Sequence, residues 1–257
     1  MTEKLLTPWQ AWSGRWRGED ALVVGNGPSR LGHDDVIAGW PGPVVACNAY
    51  WMRNVRAPEA LVCYDSKQSD AALASGISEQ WSLFVPEQTS PSVNLTVDPT
   101  PGSRVFEASP HRPTAQPQDV AVPGWEPDVM AVGAFSGMLA FQLAWIAGAE
   151  TISLLGIDVS GMIQPADGTV RLSAIDEDVP GYRHQHSNVE ACRQLAADAM
   201  VPGDWDDALA MWAALTAVAK QRGIRVYRAV SGGALGWVET RCLRGTDPRQ
   251  PEALPHE

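Results

Sequence analysis

The segment Ala21-Leu-Val-Val-Gly-Asn-Gly-Pro-Ser29 is the most informative part of this sequence about its architecture. Residues 21–24 are apolar and uncharged, as in a strand that is buried on both faces of a sheet. Gly25-Asn26-Gly27 then predicts a turn, because glycine tolerates close backbone approach and the proline that follows fixes the exit angle. A buried strand that ends in such a turn is typical of nucleotide sites in α/β proteins, where free backbone N–H groups bind a phosphate or a ribose. A plain tight turn is the alternative.

The glycine turn matches neither of two common phosphate-binding motifs. The G-x-G-x-x-G motif needs glycine at position 30, which is occupied by Arg30. The P-loop needs Gly-Lys-Ser/Thr, which does not follow Gly27. The turn therefore predicts a nucleotide site only in combination with other parts of the chain.

The composition is that of an ordinary globular protein. The chain has 257 residues, of which 45% are hydrophobic, enough for one large domain with a full core. Its net charge of −11 argues against a broad nucleic-acid-binding surface, although a local basic pocket stays compatible with it. Four widely spaced cysteines favour free thiols over a disulfide or zinc framework. We find no stretch of signal-peptide or membrane-spanning character, which predicts a cytoplasmic protein.

Short apolar runs alternate with helical patterns along the chain. Strands are predicted at 21–24, 43–47, 61–64, 81–85, 103–106, 151–155 and 224–228. Helices are predicted at 5–17 (with Trp9, Trp12 and Trp16 on one face), at 136–147 with Ser136 as N-cap and Gly148 as terminator, and at 189–197 and 204–221; 31–39 is a short helix or turn. This alternation predicts one Rossmann-like α/β domain over residues 1–257, with a mostly parallel sheet and helices on both faces. Irregular segments at 86–130 and 159–203 are predicted to lie like lids over the carboxyl ends of the strands.

Polar side chains follow most of these strands or begin a helix next to one. The carboxyl ends of parallel strands meet at one edge of a sheet, where α/β proteins bind their ligands. The residues expected at this edge are Asn26, Ser29, Asn48, Asp65, Ser136 and Asp158. Their convergence predicts a pocket. For Asp65 and Asp158, capping of the turn after a strand is the alternative.

Taken together, five elements resemble bacterial single-domain sialyltransferases in their order and spacing. They are Val24-Gly-Asn-Gly-Pro-Ser29, Cys47-Asn48, Tyr64-Asp65, Ser136-Gly137 and Leu154-Leu-Gly-Ile-Asp158. This resemblance implies inverting transfer of a sugar from a nucleotide-sugar, with a CMP-sugar favoured, to a hydroxyl of a glycan or small molecule. A modified base in nucleic acid is a less favoured acceptor.

The same elements are similar to the archaeal-type 6-hydroxymethylpterin diphosphokinase family. That resemblance implies a pyrophosphokinase that uses Mg²⁺-ATP, with Asp65 and Asp158 holding the metal. A non-catalytic nucleotide-binding module is a third alternative.

The sialyltransferase resemblance also implies residue roles, and it requires no metal. The donor nucleotide would be held by Gly25, Asn26, Gly27, Ser29 and Asn48. Ser136 and Gly137 would present a helix N-terminus to the phosphate or to the sugar carboxylate.

The catalytic groups implied by the same resemblance lie after the Gly-Ile-Asp strand. His186 would be the general base, ahead of His184, and Tyr182 would contact the leaving phosphate. For the histidines, a solvated loop is the alternative and a metal site a less favoured one. Arg53 and Arg56, between the second and third strands, are expected near the strand ends, where they could meet a phosphate.

Overall fold

One parallel sheet of seven strands runs through the part of the chain that the computed structural model describes, which is residues 10–53, 55–64, 66–85, 105–107, 136–159, 204–230 and 235–241. The strands are β1 (Asp20–Val24), β2 (Val44–Cys47), β3 (Ala60–Val62), β4 (Ser82–Val85), β5 (Val105–Glu107), β6 (Thr151–Leu155) and β7 (Arg225–Arg228). Their order is β5-β4-β3-β2-β1-β6-β7, and all of these pairs are parallel. The predicted α/β fold with a parallel sheet is confirmed.

The strand order reverses beside β1. The chain places β2 to β5 successively on one side of β1 and then returns to place β6 on the other side. Val24, the last residue of β1, is paired with Ala46 of β2 and with Leu155 of β6. The carboxyl ends of β1 and β6 therefore form the topological switch point, the usual place for a ligand in an open α/β sheet.

Helices cover both faces of the sheet, as predicted. They are α1 (Asp34–Ala38), α2 (Ser66–Ala74), α3 (Ser136–Ile146) and α4 (Asp204–Gln221). Helices α3 and α4 pack with Val23, Val45 and Ile152 in one core cluster. Helices α1 and α2 pack with Leu22 and Val44 in the other. Because both faces are covered, β1, β2 and β6 are buried along almost their whole length, without the alternation of buried and exposed residues seen in a one-sided sheet.

Helix α3 is the most deeply buried helix that the structure describes. Every residue in it except Gly137 is buried. The helix ends as predicted at Gly148, which has a φ of +94° and donates its N–H to Trp145 O at 2.8 Å. None of the described helices combines the length and apolarity needed to cross a membrane.

The predicted N-terminal helix over 5–17 is wrong for the residues that can be compared. A 3₁₀ turn at Gln10–Trp12 is followed by turns, with Gly14 in the left-handed region at a φ of +73°. Trp12 and Trp16 are buried, with ring centroids 5.4 Å apart edge to face. The spacing of the tryptophans thus reflects core packing rather than a helix face. Trp9 lies outside the described residues.

Helix α2 was not predicted from the sequence. It begins Ser-Lys-Gln-Ser-Asp, and Ala72 and Leu73 are its buried apolar residues, so its apolar periodicity is weak.

Several other predictions concern residues outside the described part of the chain. The predicted helix at 189–197 is one of them. The segments 86–130 and 159–203 are others, apart from β5 and Val159. Cys47 and Cys63 are buried free thiols, as expected, and the other two cysteines are outside the described part of the chain.

Candidate functional site

The turns after β1 and β6 are bonded directly to each other. Gly25 N–H donates to Leu155 O, and Gly27 N–H donates to Gly156 O, both at 2.8 Å. We call residues 25–29 and 156–158 the turn pair. The prediction that these backbone N–H groups are free for a phosphate is wrong for Gly25 and Gly27, because the carbonyl oxygens of Leu155 and Gly156 accept their hydrogen bonds.

The glycines of the turn pair are required by this close backbone approach. A Cβ atom on Gly25 would overlap the carbonyl oxygen of Gly156. A Cβ atom on Gly27 would lie 2.7 Å from the same oxygen and would overlap the Asp158 carboxylate. The Gly-x-Gly pattern is therefore explained by the close contact between two turns of the protein.

Ser29 and Asp158 complete the turn pair. Ser29 N–H donates to Asp158 Oδ2 at 2.8 Å, and Gly156 N–H donates to Ser29 Oγ at 3.1 Å. Asp158 is only 5% exposed. Burial raises the pKa of its carboxyl group, and the hydrogen bonds from Ser29 oppose that shift. The geometry matches the capping alternative for Asp158, in which the side chain fixes a turn after a strand.

The side chain of Asn26 ties the turn pair to β2. Its Nδ2 donates to Cys47 O at 2.9 Å, and its Oδ1 accepts from the Arg30 guanidinium at 3.3 Å. Arg30 is 1% exposed, with its guanidinium carbon 4.7 Å from the centre of the Tyr50 ring. Sequence reasoning noted Arg30 only as a departure from a glycine motif. Asp34 Oδ1 lies 3.9 Å from Arg30 Nε at the exposed side of this cluster, and the four-residue spacing of Asn26, Arg30 and Asp34 is the signal that could have indicated it.

A second group of polar residues lies where β2 and β3 end. Ser136, the first residue of α3, accepts a hydrogen bond from Tyr64 N–H at 2.9 Å and donates one to Asn48 Oδ1 at 2.7 Å. The predicted N-cap of α3 thus uses its hydroxyl to join the ends of two strands. We call Asn48, Tyr64, Ser136 and Gly137 the strand-end cluster.

Asn48 is held in an unusual conformation that fixes its side chain. Its φ of +47° is in the left-handed region, which asparagine tolerates better than most residues. Because the Ser136 hydroxyl accepts from Tyr64, its proton is directed to Asn48, and the amide oxygen must face it. Asn48 Nδ2 has no hydrogen-bond partner among the residues that the structure describes, so this amide can donate to a ligand.

The N-terminus of α3 adds positive potential to the strand-end cluster. The first N–H groups of an 11-residue helix carry a partial positive charge that favours an anion. Gly137 is partly exposed there, and a Cβ atom on it would lie 3.1 Å from Ile157 Cδ1. Burial raises the pKa of Tyr64, so its phenol stays neutral at physiological pH. The cluster can therefore hold an anion by hydrogen bonding and helix polarity.

The remaining predicted site residues fall into two groups. Asp65, Tyr182, His184 and His186 lie outside the described residues. Arg56 is described, and the idea that it meets a phosphate is wrong: its guanidinium donates to Trp40 O, to Gly42 O and to Glu59, at the amino end of the sheet. The side chain of Arg53 is not described. Within the described ranges, no three metal-ligating side chains cluster.

Comparison with solved structures found sialyltransferases. One is the sialyltransferase CstII from Campylobacter jejuni in complex with the substrate analogue CMP-3FNeuAc, at 12% identity over 86% of this chain and 85% of that one, with a TM-score of 0.45. Another is a variant of the sialyltransferase CST-II in complex with CMP, at 12% identity over 86% of each chain and a TM-score of 0.48. No family model and no curated protein matches this chain. Neither a donor nor an acceptor for this chain follows from these similarities.

Proposed function

We propose that this protein is a glycosyltransferase that transfers a sugar from a nucleotide-sugar, with a CMP-sugar favoured, to an acceptor hydroxyl with inversion. The observation that carries the proposal is the strand-end cluster, in which the Asn48 amide donor stands beside the N-terminus of α3. The order of the Gly-Asn-Gly-Pro-Ser, Cys-Asn, Ser-Gly and Gly-Ile-Asp elements supports the same assignment. The acceptor is a glycan or a small molecule, with a modified nucleobase less favoured.

The donor phosphate is the group that the strand-end cluster suits best. A phosphate diester needs hydrogen-bond donors and positive potential, which Asn48 Nδ2 and the first turn of α3 supply together. Ser136 positions Asn48, and Gly137 keeps the helix end free of a side chain. Gly25, Asn26, Gly27, Ser29 and Asp158 form a rigid wall at the switch point, against which the nucleoside lies.

The proposed reaction is a single displacement. The acceptor oxygen attacks the anomeric carbon, the bond from that carbon to the phosphate oxygen breaks, and the nucleotide leaves. His186 takes the acceptor proton, with His184 as the second candidate, and Tyr182 contacts the leaving phosphate. The positive end of α3 favours the charge that develops on that phosphate. No metal is required.

The described residues favour this proposal over a pyrophosphokinase. That alternative needs Asp65 and Asp158 as magnesium ligands. Asp158 is buried, and its Oδ2 already accepts the Ser29 N–H, which leaves it poorly placed to coordinate a hydrated ion.

The first experiment is a calorimetric titration of the protein with CMP, with and without Mg²⁺. We expect binding that does not depend on Mg²⁺. The key variant is Asn48→Asp, which keeps an acceptor for Ser136 and tolerates the left-handed backbone but replaces the amide donor by a negative charge. We expect it to weaken CMP binding by about 100-fold, because a charged hydrogen bond is lost and repulsion replaces it.

The matched control is Gln221→Glu, which adds the same charge at the exposed end of α4. It should bind CMP like the wild type, and both variants should keep the wild-type melting temperature. Equal CMP affinity in Asn48→Asp and the control would overturn the assignment of the phosphate site. Binding of ATP but not CMP, and only with Mg²⁺, would overturn the glycosyltransferase proposal.

A further inference from the structure

A groove of about 630 Å³ lies along the outer edge of the sheet, away from the strand-end cluster. Its walls are the outward side of α4, strand β7 and the loop 237–239. Trp212 of α4 is buried on the opposite side of the helix, against Phe141 of α3. Helix α4 therefore separates the groove from α3. The volume is within the range of small-ligand sites and suits two or three sugar rings.

The most informative side chain in the groove is Trp237. It is 49% exposed and is the one large hydrophobic side chain among the described residues that is exposed. Its Nε1–H donates to Thr216 Oγ1 at 3.3 Å, and that hydroxyl donates to Trp212 O at 2.8 Å. The ring is thus fixed from α4 while much of it stays open to solvent. A rigid, exposed aromatic face costs little entropy on binding and is suited to the C–H face of a sugar ring.

Charged groups line the groove together with the indole. Lys220 and Arg225 are exposed and positive, and Glu239 is exposed and negative. The groove is therefore locally positive in a chain whose net charge is −11. Cationic side chains bind a carboxylate, and a carboxylate such as Glu239 accepts hydrogen bonds from sugar hydroxyls.

Strand addition explains the groove less well. Arg228 N–H already donates to Glu239 O, and Arg228 O accepts from Arg241 N–H. Arg225 and Ala229 donate inward to Glu150 O and Leu154 O, so only Val226 within β7 keeps its main-chain groups toward the open edge. An added peptide strand needs a longer open run than one residue.

We propose that this groove binds an oligosaccharide that carries a carboxylate, with one sugar ring on Trp237 and the carboxylate at Lys220 and Arg225. The site is separate from the strand-end cluster and does not depend on the proposed transferase activity. If that activity holds, the groove keeps an acidic glycan bound to the enzyme while the glycan meets the donor site repeatedly.

The test uses lactose and sialyllactose, which share a disaccharide and differ by one acidic sugar. Both are titrated into the full chain and followed by saturation-transfer NMR and calorimetry. We expect sialyllactose to bind about fivefold more tightly than lactose, the size of an exposed charge contribution. Trp237→Ala should weaken the binding of both sugars about tenfold.

Two further variants separate charge from folding. Lys220→Gln should weaken sialyllactose about threefold and leave lactose unchanged. Arg222→Gln removes the same charge from an exposed residue outside the groove and should change neither sugar. The circular dichroism of each variant shows whether it is folded. If Trp237→Ala is unfolded, Lys220→Gln still tests the proposal.

Three outcomes would overturn the proposal. One is the absence of saturable binding of either sugar to the wild type. Another is equal loss in Lys220→Gln and Arg222→Gln. The third is binding that Asn48→Asp abolishes and Trp237→Ala keeps, which would assign the sugar to the strand-end cluster. The CMP titration reports on the transferase proposal separately, because Trp237→Ala should bind CMP normally.

Discussion

The turn pair and the strand-end cluster lie at the same edge of the sheet but are built in opposite ways. In the turn pair, the N–H groups of Gly25 and Gly27 and the carboxylate of Asp158 are all used in hydrogen bonds within the protein. In the strand-end cluster, one hydroxyl joins Asn48 to Tyr64 and leaves the Asn48 amide nitrogen with no partner among the described residues. The glycine-rich motif is thus the closed side of this edge, and the plainer Cys-Asn element is the open side.

The comparison separates two reasons for polar residues after strands. Asn26 and Asn48 are the same residue type in equivalent places, after β1 and after β2. Asn26 uses both ends of its amide to hold Cys47 and Arg30. Asn48 uses its amide oxygen for Ser136, and its amide nitrogen is the group that we propose binds the donor phosphate. Substitutions in the turn pair should therefore change stability, whereas substitutions in the strand-end cluster should change binding.

The largest effect is expected from Gly25→Ala. The new methyl group would overlap the Gly156 carbonyl oxygen, which is main chain and cannot rotate away. We expect the free energy of unfolding to fall by about 3 kcal/mol, the upper range for overpacking. Urea unfolding followed by circular dichroism measures it. Gly236→Ala, where a Cβ atom meets nothing within 4 Å, should stay within about 0.5 kcal/mol of the wild type. Similar values for the two variants would break the account of the turn pair.

The next effect is expected from Asn26→Ala. It removes the donor to Cys47 O and leaves the buried Arg30 guanidinium without one of its acceptors. We expect a loss of about 2 kcal/mol. Asn48→Gly should change stability by less than about 1 kcal/mol, because the lost hydrogen bond is offset by relief of the left-handed backbone. The same unfolding experiment compares them, and a larger loss in Asn48→Gly would reverse the assignment.

Much of the fold could be predicted from the sequence, for a physical reason. The apolar run 21–24 and the uncharged, mostly apolar run 151–155 are both buried, and burial of that kind can be recognised from composition. Helix α2 was missed because its buried face carries Ser69 and Gln68 beside Ala72 and Leu73. The N-terminal helix was wrong because Trp12 and Trp16 recur at helical spacing while Gly14 turns the chain between them.

Less of the site could be predicted. The sequence predicted that Asn48 and Ser136 lie at the same edge of the sheet, and in the structure Ser136 Oγ is 2.7 Å from Asn48 Oδ1. It could not show that Leu155 and Gly156 accept the hydrogen bonds of the glycine turn, because that depends on how closely two turns far apart in the sequence approach. The sequence also placed Arg56 near a phosphate. The path of the crossover between β2 and β3 instead puts its guanidinium at the amino end of the sheet.

Ser136→Ala tests whether the strand-end cluster depends on the hydroxyl that positions Asn48. The variant leaves Tyr64 N–H and Asn48 Oδ1 without their shared partner, and we expect a stability loss of about 1 kcal/mol. CMP affinity should fall about tenfold, because the Asn48 amide is no longer held in one orientation. The control is Ser69→Ala on α2, which removes another buried hydroxyl. That hydroxyl donates to Cys63 O at 2.8 Å. Ser69→Ala should lower stability by a similar amount and leave CMP affinity unchanged. If Ser69→Ala lowered CMP affinity as much as Ser136→Ala does, the role of Ser136 would be merely structural.

The smallest effect is a pH dependence that originates in the turn pair. Burial raises the pKa of Asp158 above that of an exposed aspartate, so folding favours the neutral carboxyl group. Its contribution to stability is then fully present below the unfolded pKa and is lost as pH rises through the folded pKa. The hydrogen bonds from Ser29 work against burial and keep this effect small. Asp158→Asn removes the titrating group and keeps an oxygen for the Ser29 N–H. The stability of the wild type minus that of Asp158→Asn should therefore decrease as pH rises from about 3 upward through this window. A difference that increases with pH would mean that the carboxylate is stabilised as an anion, as at a cation site, and the turn pair would then belong to the open side of the sheet edge.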